Sequence, residues 1–187
     1  MGVSNPRLWL AGAMLWGFAE ATFFFIVPDL LLTAAVVVFG LSRAFRLSVA
    51  AAMAATAGGL LMMIWGASEA EAARAFLLSV PLIGEDLLFR VHSEMDGMWP
   101  IDLTLGAITG APFKIYAVEA GAAGVNPLLF AFMGFAARLA RFSLAIGLTA
   151  FGASLAARLG MKRFVPYGLA LVWAAIYAFY VSARLAA

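Results

Sequence analysis

The sequence predicts an all-α integral membrane protein in which spanning helices are combined with two re-entrant, or broken, helical hairpins in an inverted-repeat arrangement. Of its 187 residues, 65% are hydrophobic and only 12% are charged, about half the charged share of a soluble domain. Some apolar stretches are long enough to cross a bilayer, and two others are broken by proline, glycine or charge. Bilayer hydrocarbon is therefore the main solvent of the chain.

The first hydrophobic region covers residues 8–42 and is too interrupted to be a simple span. Glu20 separates two apolar pieces, and Pro28 with Asp29 separates the second piece from a third. Proline removes a backbone donor and disfavours helix at the residue before it. Irregular backbone at membrane depth is tolerated only where protein or a wet cavity surrounds it. We therefore expect a re-entrant hairpin that turns at Pro28.

Residues 47–67 form a charge-free apolar run, and a polar segment follows over residues 69–102. The apolar run is long enough to cross a hydrocarbon core about 30 Å thick, so we expect it to span. The polar segment contains most of the acidic residues, and its leucines and phenylalanines are typical of amphipathic helices at a membrane surface. The single histidine, His92, lies there and is expected to be an ordinary solvated side chain.

The second broken region covers residues 103–124, and it is followed by two spanning helices at 126–157 and 164–184. Lys114 is expected either to add positive charge at head-group level or to extend to the membrane interface. Glu119 lies one to two turns further on, so it either joins a charged site or pairs with Lys114. The expected turn residues of the two broken regions are Pro28, Gly110, Pro112, Gly121 and Gly124. Aromatic residues typical of an interface occupy the last half of the final helix: Trp173, Tyr177 and Tyr180.

Basic residues predict the orientation of the chain. They cluster at Arg43 and Arg46, and again at Arg158, Lys162 and Arg163. These two loops are expected on the cytoplasmic side, with the acidic segment opposite. The first broken region then enters from the cytoplasm and the second from the other side, which is the inverted repeat from which many transporters are built. The expected location is a bacterial inner (plasma) membrane, crossed several times.

Six ionisable residues fall within hydrophobic sequence: Glu20, Asp29, Lys114, Glu119, Arg138 and Arg141. A charge at the bilayer centre costs at least ~2.5 to 3.5 kcal/mol, so each such residue is a candidate for function. One interpretation is that they form fixed ion pairs that hold the broken regions to a helix. The other is partial pairing, which leaves a carboxylate able to exchange a proton and an arginine able to bind an anion.

Several function classes find no support in the composition. The chain has no cysteine and a single histidine, so no metal site, cofactor or catalytic triad is expected, and an intramembrane phosphatase or protease is disfavoured. The basic residues form no tract, and nucleic acid is not an expected partner. The expected partners are membrane lipids, anionic phosphate head groups and protons. Small residues such as Gly134, Ala137 and Ala140 are expected to serve helix packing or a homodimer interface.

Three segments carry a resemblance to a known family: residues 18–32, which contain Glu20 and Asp29, residues 110–124, with proline and lysine before an Ala-Gly turn, and residues 135–142, which contain Arg138 and Arg141. In order and spacing they resemble the DedA family, also called VTT-domain or SNARE-associated membrane proteins, and in particular its YqaA-like branch. Ala137 replaces the glycine that usually precedes the first arginine, and the turns contain fewer prolines than is usual.

The resemblance implies two re-entrant loops that meet in the membrane and a role in moving lipids between leaflets. We therefore expect a transporter, flippase or scramblase for a phospholipid or for undecaprenyl phosphate, with proton coupling. In this hypothesis Arg138 and Arg141 hold the phosphate while Glu20 and Asp29 exchange protons. The alternatives are a proton-coupled transporter of small ions and a membrane scaffold that transports nothing.

Overall fold

The computed structural model describes residues 5–185, apart from the side chains of residues 107–109 and 184–185. Within this range the regular structure is entirely helical. The helices are α1 Pro6–Glu20, α2 Asp29–Phe39, α3 Leu41–Ser68, α4 Ala70–Ser79, α5 Glu85–Met95, α6 Trp99–Thr109, α7 Phe113–Ala122, α8 Pro127–Arg158 and α9 Val165–Leu185, with a 3-10 turn at Lys162–Phe164 before α9. The predicted all-α class is confirmed.

Three helices are long and apolar enough to cross a membrane, as the sequence predicted. They cover Leu41–Ser68, Pro127–Arg158 and Lys162–Ala183. The first begins at Leu41 rather than at residue 47, because Gly40 adopts a φ of 83° and lets the chain turn directly from α2 into α3. Arg43 and Arg46 therefore lie on the first turns of α3 rather than in a loop.

The first broken region consists of α1, a non-helical stretch over residues 21–28, and α2. The Asn5 side chain accepts a hydrogen bond from Arg7 N at 3.0 Å and so caps the start of α1. Pro28 ends the non-helical stretch and stands immediately before α2. The Trp9 and Phe39 rings pack edge to face with centroids 5.2 Å apart, so the start of α1 lies beside the end of α2. The two helices therefore run in opposite directions.

The second broken region consists of α6 and α7, and it begins four residues before the expected boundary at 103, at Trp99. Gly110 ends α6 in a left-handed conformation with a φ of 92°, and Pro112 precedes α7. Gly124 also has a positive φ, of 69°, but it lies in the connection from α7 to α8. Gly121, expected at a turn, instead lies inside α7.

Close backbone packing explains the position of Gly121. A Cβ atom built there would lie 2.0 Å from the Met63 carbonyl oxygen on α3. A Cβ at Gly66 of α3 would lie 2.2 Å from the Val118 oxygen on α7, so glycines of both helices permit this contact. Gly17 has the same role where α1 crosses Ala51 of α3, at 2.4 Å. Small residues thus bring α1 and α7 against the two halves of one long helix.

The polar segment forms the amphipathic helices α4 and α5, which cover the end of α7. Leu77 of α4 and Leu87 and Val91 of α5 are buried in one apolar cluster with Ile115 and Val118 of α7. Their opposite faces are exposed. The segment is therefore packed onto the helical body rather than separate from it.

Candidate functional site

A buried ion pair joins the end of α1 to the middle of α8. Arg138 Nη1 donates a hydrogen bond to Glu20 Oε2, and each residue is 4% exposed. The Arg138 guanidinium also lies over the Phe113 ring, 4.5 Å from its centroid, so α7 contributes a third side of its environment. The charge, the hydrogen bond and the ring contact together hold this arginine in one place.

A second, looser pair lies one turn further along α8. Arg141 Nη2 is 3.1 Å from Asp29 Oδ2 at the start of α2. The same carboxylate oxygen is buried and accepts no well-aligned hydrogen bond within the described part of the chain. We regard this contact as an ion pair by distance whose geometry is too poor for a directional bond. The Arg141 side chain is 25% exposed, whereas that of Arg138 is buried.

Lys114 connects the two broken regions. It occupies the first turn of α7 and is 1% exposed. Its Nζ donates a hydrogen bond to the carbonyl oxygen of Phe24, at 3.0 Å, in the non-helical stretch between α1 and α2. The expectation that Lys114 extends to the membrane interface is therefore wrong. The lysine instead donates to a backbone carbonyl group that lies outside any helix and so has no helical hydrogen-bond partner.

A cavity of about 540 Å³ lies over this charged centre. Glu20, Lys114, Arg138 and Arg141 contribute its charged end, and the rest of its lining is predominantly apolar. The apolar walls come from α9, from the α6–α7 turn and from the connection between α4 and α5 at residues 80–83. A cavity with one charged end and apolar walls is suited to an amphipathic molecule.

Three aromatic side chains of α9 form hydrogen bonds with the two broken regions. Val27 N donates to Tyr177 Oη at 2.9 Å, and Trp173 Nε1 donates to Thr33 Oγ1 at 3.0 Å. Tyr180 Oη donates to the carbonyl oxygen of Gly110 at 3.3 Å. The sequence predicted an interfacial position for these aromatics and did not predict these contacts. The breaks in the two helices leave backbone groups without a helical partner, and each such group requires another one. Two of them, Val27 N and Gly110 O, bond to tyrosines of α9.

Glu119 belongs to a different cluster. Its carboxylate accepts two hydrogen bonds from Arg74 of α4, from Nε and Nη2 at 2.7 Å each, and lies 2.8 Å from Nδ1 of His92 on α5. Glu119 therefore neither pairs with Lys114 nor joins the charged centre. The His92 side chain is 60% exposed, so it is solvated as expected, but it also contacts Glu119. Glu71 adds a further ion pair to Arg74 at 2.8 Å.

The surroundings of Glu119 favour its ionised form. Burial would raise the pKa of Glu119, but the hydrogen bonds from Arg74 and His92 outweigh it and hold that pKa below its usual value. The hydrogen bond to Glu119 raises the pKa of Arg74 in turn. Glu119 is thus a charged anchor between α7 and the surface helices.

Comparison of the chain with family models, curated proteins and solved structures finds no match. The candidate site is accordingly interpreted from its own geometry. Among the described residues, no group of histidine, cysteine, aspartate and glutamate side chains could hold a metal ion.

Proposed function

We propose that this protein is a membrane transporter, or flippase, that moves a lipid or lipid-linked phosphate between the leaflets of a bilayer. A phospholipid and undecaprenyl phosphate are the candidate substrates, since each joins an anionic phosphate to long apolar chains. Three apolar helices of spanning length support a membrane location. The resemblance to the DedA family supports both the activity and a bacterial inner membrane as its site.

The inverted-repeat arrangement is part of this proposal. We infer that α1–α2 and α6–α7 are re-entrant hairpins that enter the membrane from opposite sides, each followed by a spanning helix, α3 or α8. The pairing of Glu20 and Asp29 with the middle of α8 supports this arrangement, because the break in the first hairpin then lies at mid-membrane depth. Broken helices at a shared central site are a recurring design of secondary transporters.

The cavity over the charged centre is the observation that carries the proposal. Its charged end is suited to a phosphate head group, and its apolar walls are suited to the start of an acyl or prenyl chain. Of the three helices of spanning length, the one that contains α9 is the least enclosed, since none of its most apolar stretch is buried. We therefore assign the side at α9 as the route by which lipid enters.

Proton coupling is supported by the difference between the two ion pairs. Arg138 is held by Glu20 and by the Phe113 ring, whereas Arg141 is partly exposed and poorly aligned with Asp29. Protonation of Asp29 removes the charge that holds Arg141, and a guanidinium can then engage two phosphate oxygens at once. We therefore assign proton exchange to Asp29 and phosphate contact to Arg141.

Leaflet exchange in liposomes tests the proposal. Fluorescent phospholipid and polyprenyl phosphate are reconstituted separately with the native protein, with Arg141→Ala and with Arg158→Ala, each with and without a proton gradient. Arg158 is the matched control, because it is an exposed arginine at the far end of the same helix. We expect exchange of at least one lipid by the native protein and by Arg158→Ala, and its loss in Arg141→Ala.

The contrary outcomes are distinct. No exchange of either lipid above empty liposomes would overturn lipid transport and leave a proton-coupled transporter of small ions. A cellular function that is retained without leaflet exchange, after joint replacement of Glu20 and Arg141 by methionine, would instead favour a scaffold, in which the charges serve only as fixed pairs. Lipid exchange that depends on Arg141 but is unaffected by the proton gradient would contradict proton coupling and leave lipid transport supported.

A further inference from the structure

The charged centre contains one more positive than negative side chain among the described residues. Its members are the carboxylates of Glu20 and Asp29 and the cations of Lys114, Arg138 and Arg141. In the state with both carboxylates ionised, three positive charges meet two negative ones and leave one positive charge uncompensated. In a low-dielectric site such an imbalance is costly, because little solvent screens it.

Lys114 is the cation of this centre with no carboxylate oxygen at salt-bridge distance among the described residues, although Glu20 lies close enough to interact with it electrostatically. Arg138 is bonded to Glu20, and Arg141 is paired with Asp29. The lysine forms no salt bridge within the described residues. Its Nζ donates there to the neutral carbonyl oxygen of Phe24. An ammonium group has three donors, so two remain for another acceptor.

Building on the proposed function, we propose that Lys114 is the primary anion-binding group of the cavity and that the occupant carries a single negative charge. A phosphodiester head group, such as that of an acidic phospholipid, has this charge. Its phosphate oxygens accept charge-assisted hydrogen bonds from the ammonium group at the charged end of the cavity. Lys114 contacts the phosphate while both carboxylates are ionised, and Arg141 adds its own contact once Asp29 is protonated.

Charge balance separates three classes of lipid. A monoanionic phosphodiester brings the centre to neutrality. A phosphomonoester with two negative charges leaves one negative charge in excess, and a zwitterionic lipid introduces an additional cation near two arginines. The site therefore favours phosphatidylglycerol over both phosphatidic acid and phosphatidylcholine when both carboxylates are ionised.

Lipid binding to the detergent-solubilised full chain tests this inference without requiring transport. Native mass spectrometry at about pH 7 gives apparent Kd values for phosphatidylglycerol, phosphatidic acid and phosphatidylcholine with matched acyl chains. We expect phosphatidylglycerol to bind about tenfold or more tightly than either other lipid, the size of one charged hydrogen bond. Lys114→Met should lower phosphatidylglycerol affinity about tenfold, to the level of phosphatidylcholine.

Lys162→Met is the matched control, because Lys162 is an exposed lysine outside the cavity. It should leave all three affinities unchanged. If Lys114→Met does not fold, the three-lipid series on the native chain still decides the charge class. Equal or tighter binding of phosphatidic acid or phosphatidylcholine, or phosphatidylglycerol binding unaffected by a folded Lys114→Met, would overturn the inference.

Failure of this inference differs from failure of the proposed function. Arg141-dependent exchange without any head-group preference leaves lipid transport intact and removes the Lys114 assignment. Selective, Lys114-dependent binding of phosphatidylglycerol without leaflet exchange leaves the binding site intact and removes transport.

Discussion

Arg138 and Glu20 are joined across 118 positions of the chain by a hydrogen bond between two buried side chains. Removing one partner of such a pair leaves an uncompensated buried charge and costs about 3–5 kcal/mol. We expect Glu20→Met to lower the free energy of unfolding by this amount, as measured by denaturant titration in detergent micelles. Replacing both residues by methionine should be less damaging than Glu20→Met alone, since no charge then remains unpaired. A double variant that loses the sum of the two single effects would contradict this account.

Much of this centre could be predicted from sequence, because a charge within apolar sequence is conspicuous. Glu20, Asp29, Arg138 and Arg141 stood out for that reason, and they lie together. Glu119 carried the same signal but belongs elsewhere, because its partners lie in the polar segment, where charge is unremarkable. Sequence spacing does not reveal which of many surface charges folds back onto α7.

The role of α9 could not be predicted for a different reason. Its sequence is an ordinary apolar span with interfacial aromatics, and the hydrogen bonds depend on where two distant breaks place their unbonded backbone groups. Gly121 was likewise ambiguous, because glycine serves both at turns and where helices approach closely. Tertiary contact decided both cases.

Tyr177→Phe should loosen the first broken region. The change removes the acceptor of the partly buried Val27 amide, which lies 2.9 Å from the tyrosine oxygen, and the loss costs up to about 1–3 kcal/mol, the value for a fully buried donor. We expect faster hydrogen exchange in a peptide covering residues 21–28, measured by mass spectrometry. Tyr167→Phe, on an exposed part of the same helix, should leave that rate unchanged. Equal exchange in both variants would show that α9 does not hold this stretch.

Gly121→Ala should destabilise the contact of α7 with α3. The added Cβ would lie 2.0 Å from the Met63 carbonyl oxygen, and because this atom belongs to backbone, the helices must separate. Overpacking of this kind costs about 1–3 kcal/mol or more. Gly147→Ala on α8 is the control: its Cβ would meet nothing within 4 Å, so higher helix propensity should leave stability unchanged or slightly raised. The midpoints of thermal unfolding in detergent rank the variants. Equal midpoints for Gly121→Ala and Gly147→Ala would contradict the close approach of α7 to α3.

The Glu119 cluster predicts acid sensitivity of the packing of α4 and α5 on α7. The folded state holds the pKa of Glu119 below its usual value of 4.5, so the ionised carboxylate contributes stability that is complete above that value. This stability is lost as the pH falls below 4.5 through the lower folded pKa. At neutral pH we expect Glu119→Gln to be about 1.5–3 kcal/mol less stable than the native chain, the size of a charged hydrogen bond. The difference in free energy of unfolding between the native chain and Glu119→Gln should become smaller in acid, because glutamine does not titrate while the native carboxylate becomes protonated.

His92→Gln distinguishes the two hydrogen-bond donors to Glu119. It keeps the Arg74 contacts, so it should lower stability less than Glu119→Gln does. Denaturant titrations between about pH 7 and pH 3.5 measure both effects, and a difference for Glu119→Gln that stays constant over that range would contradict the assignment of Glu119 as a charged anchor.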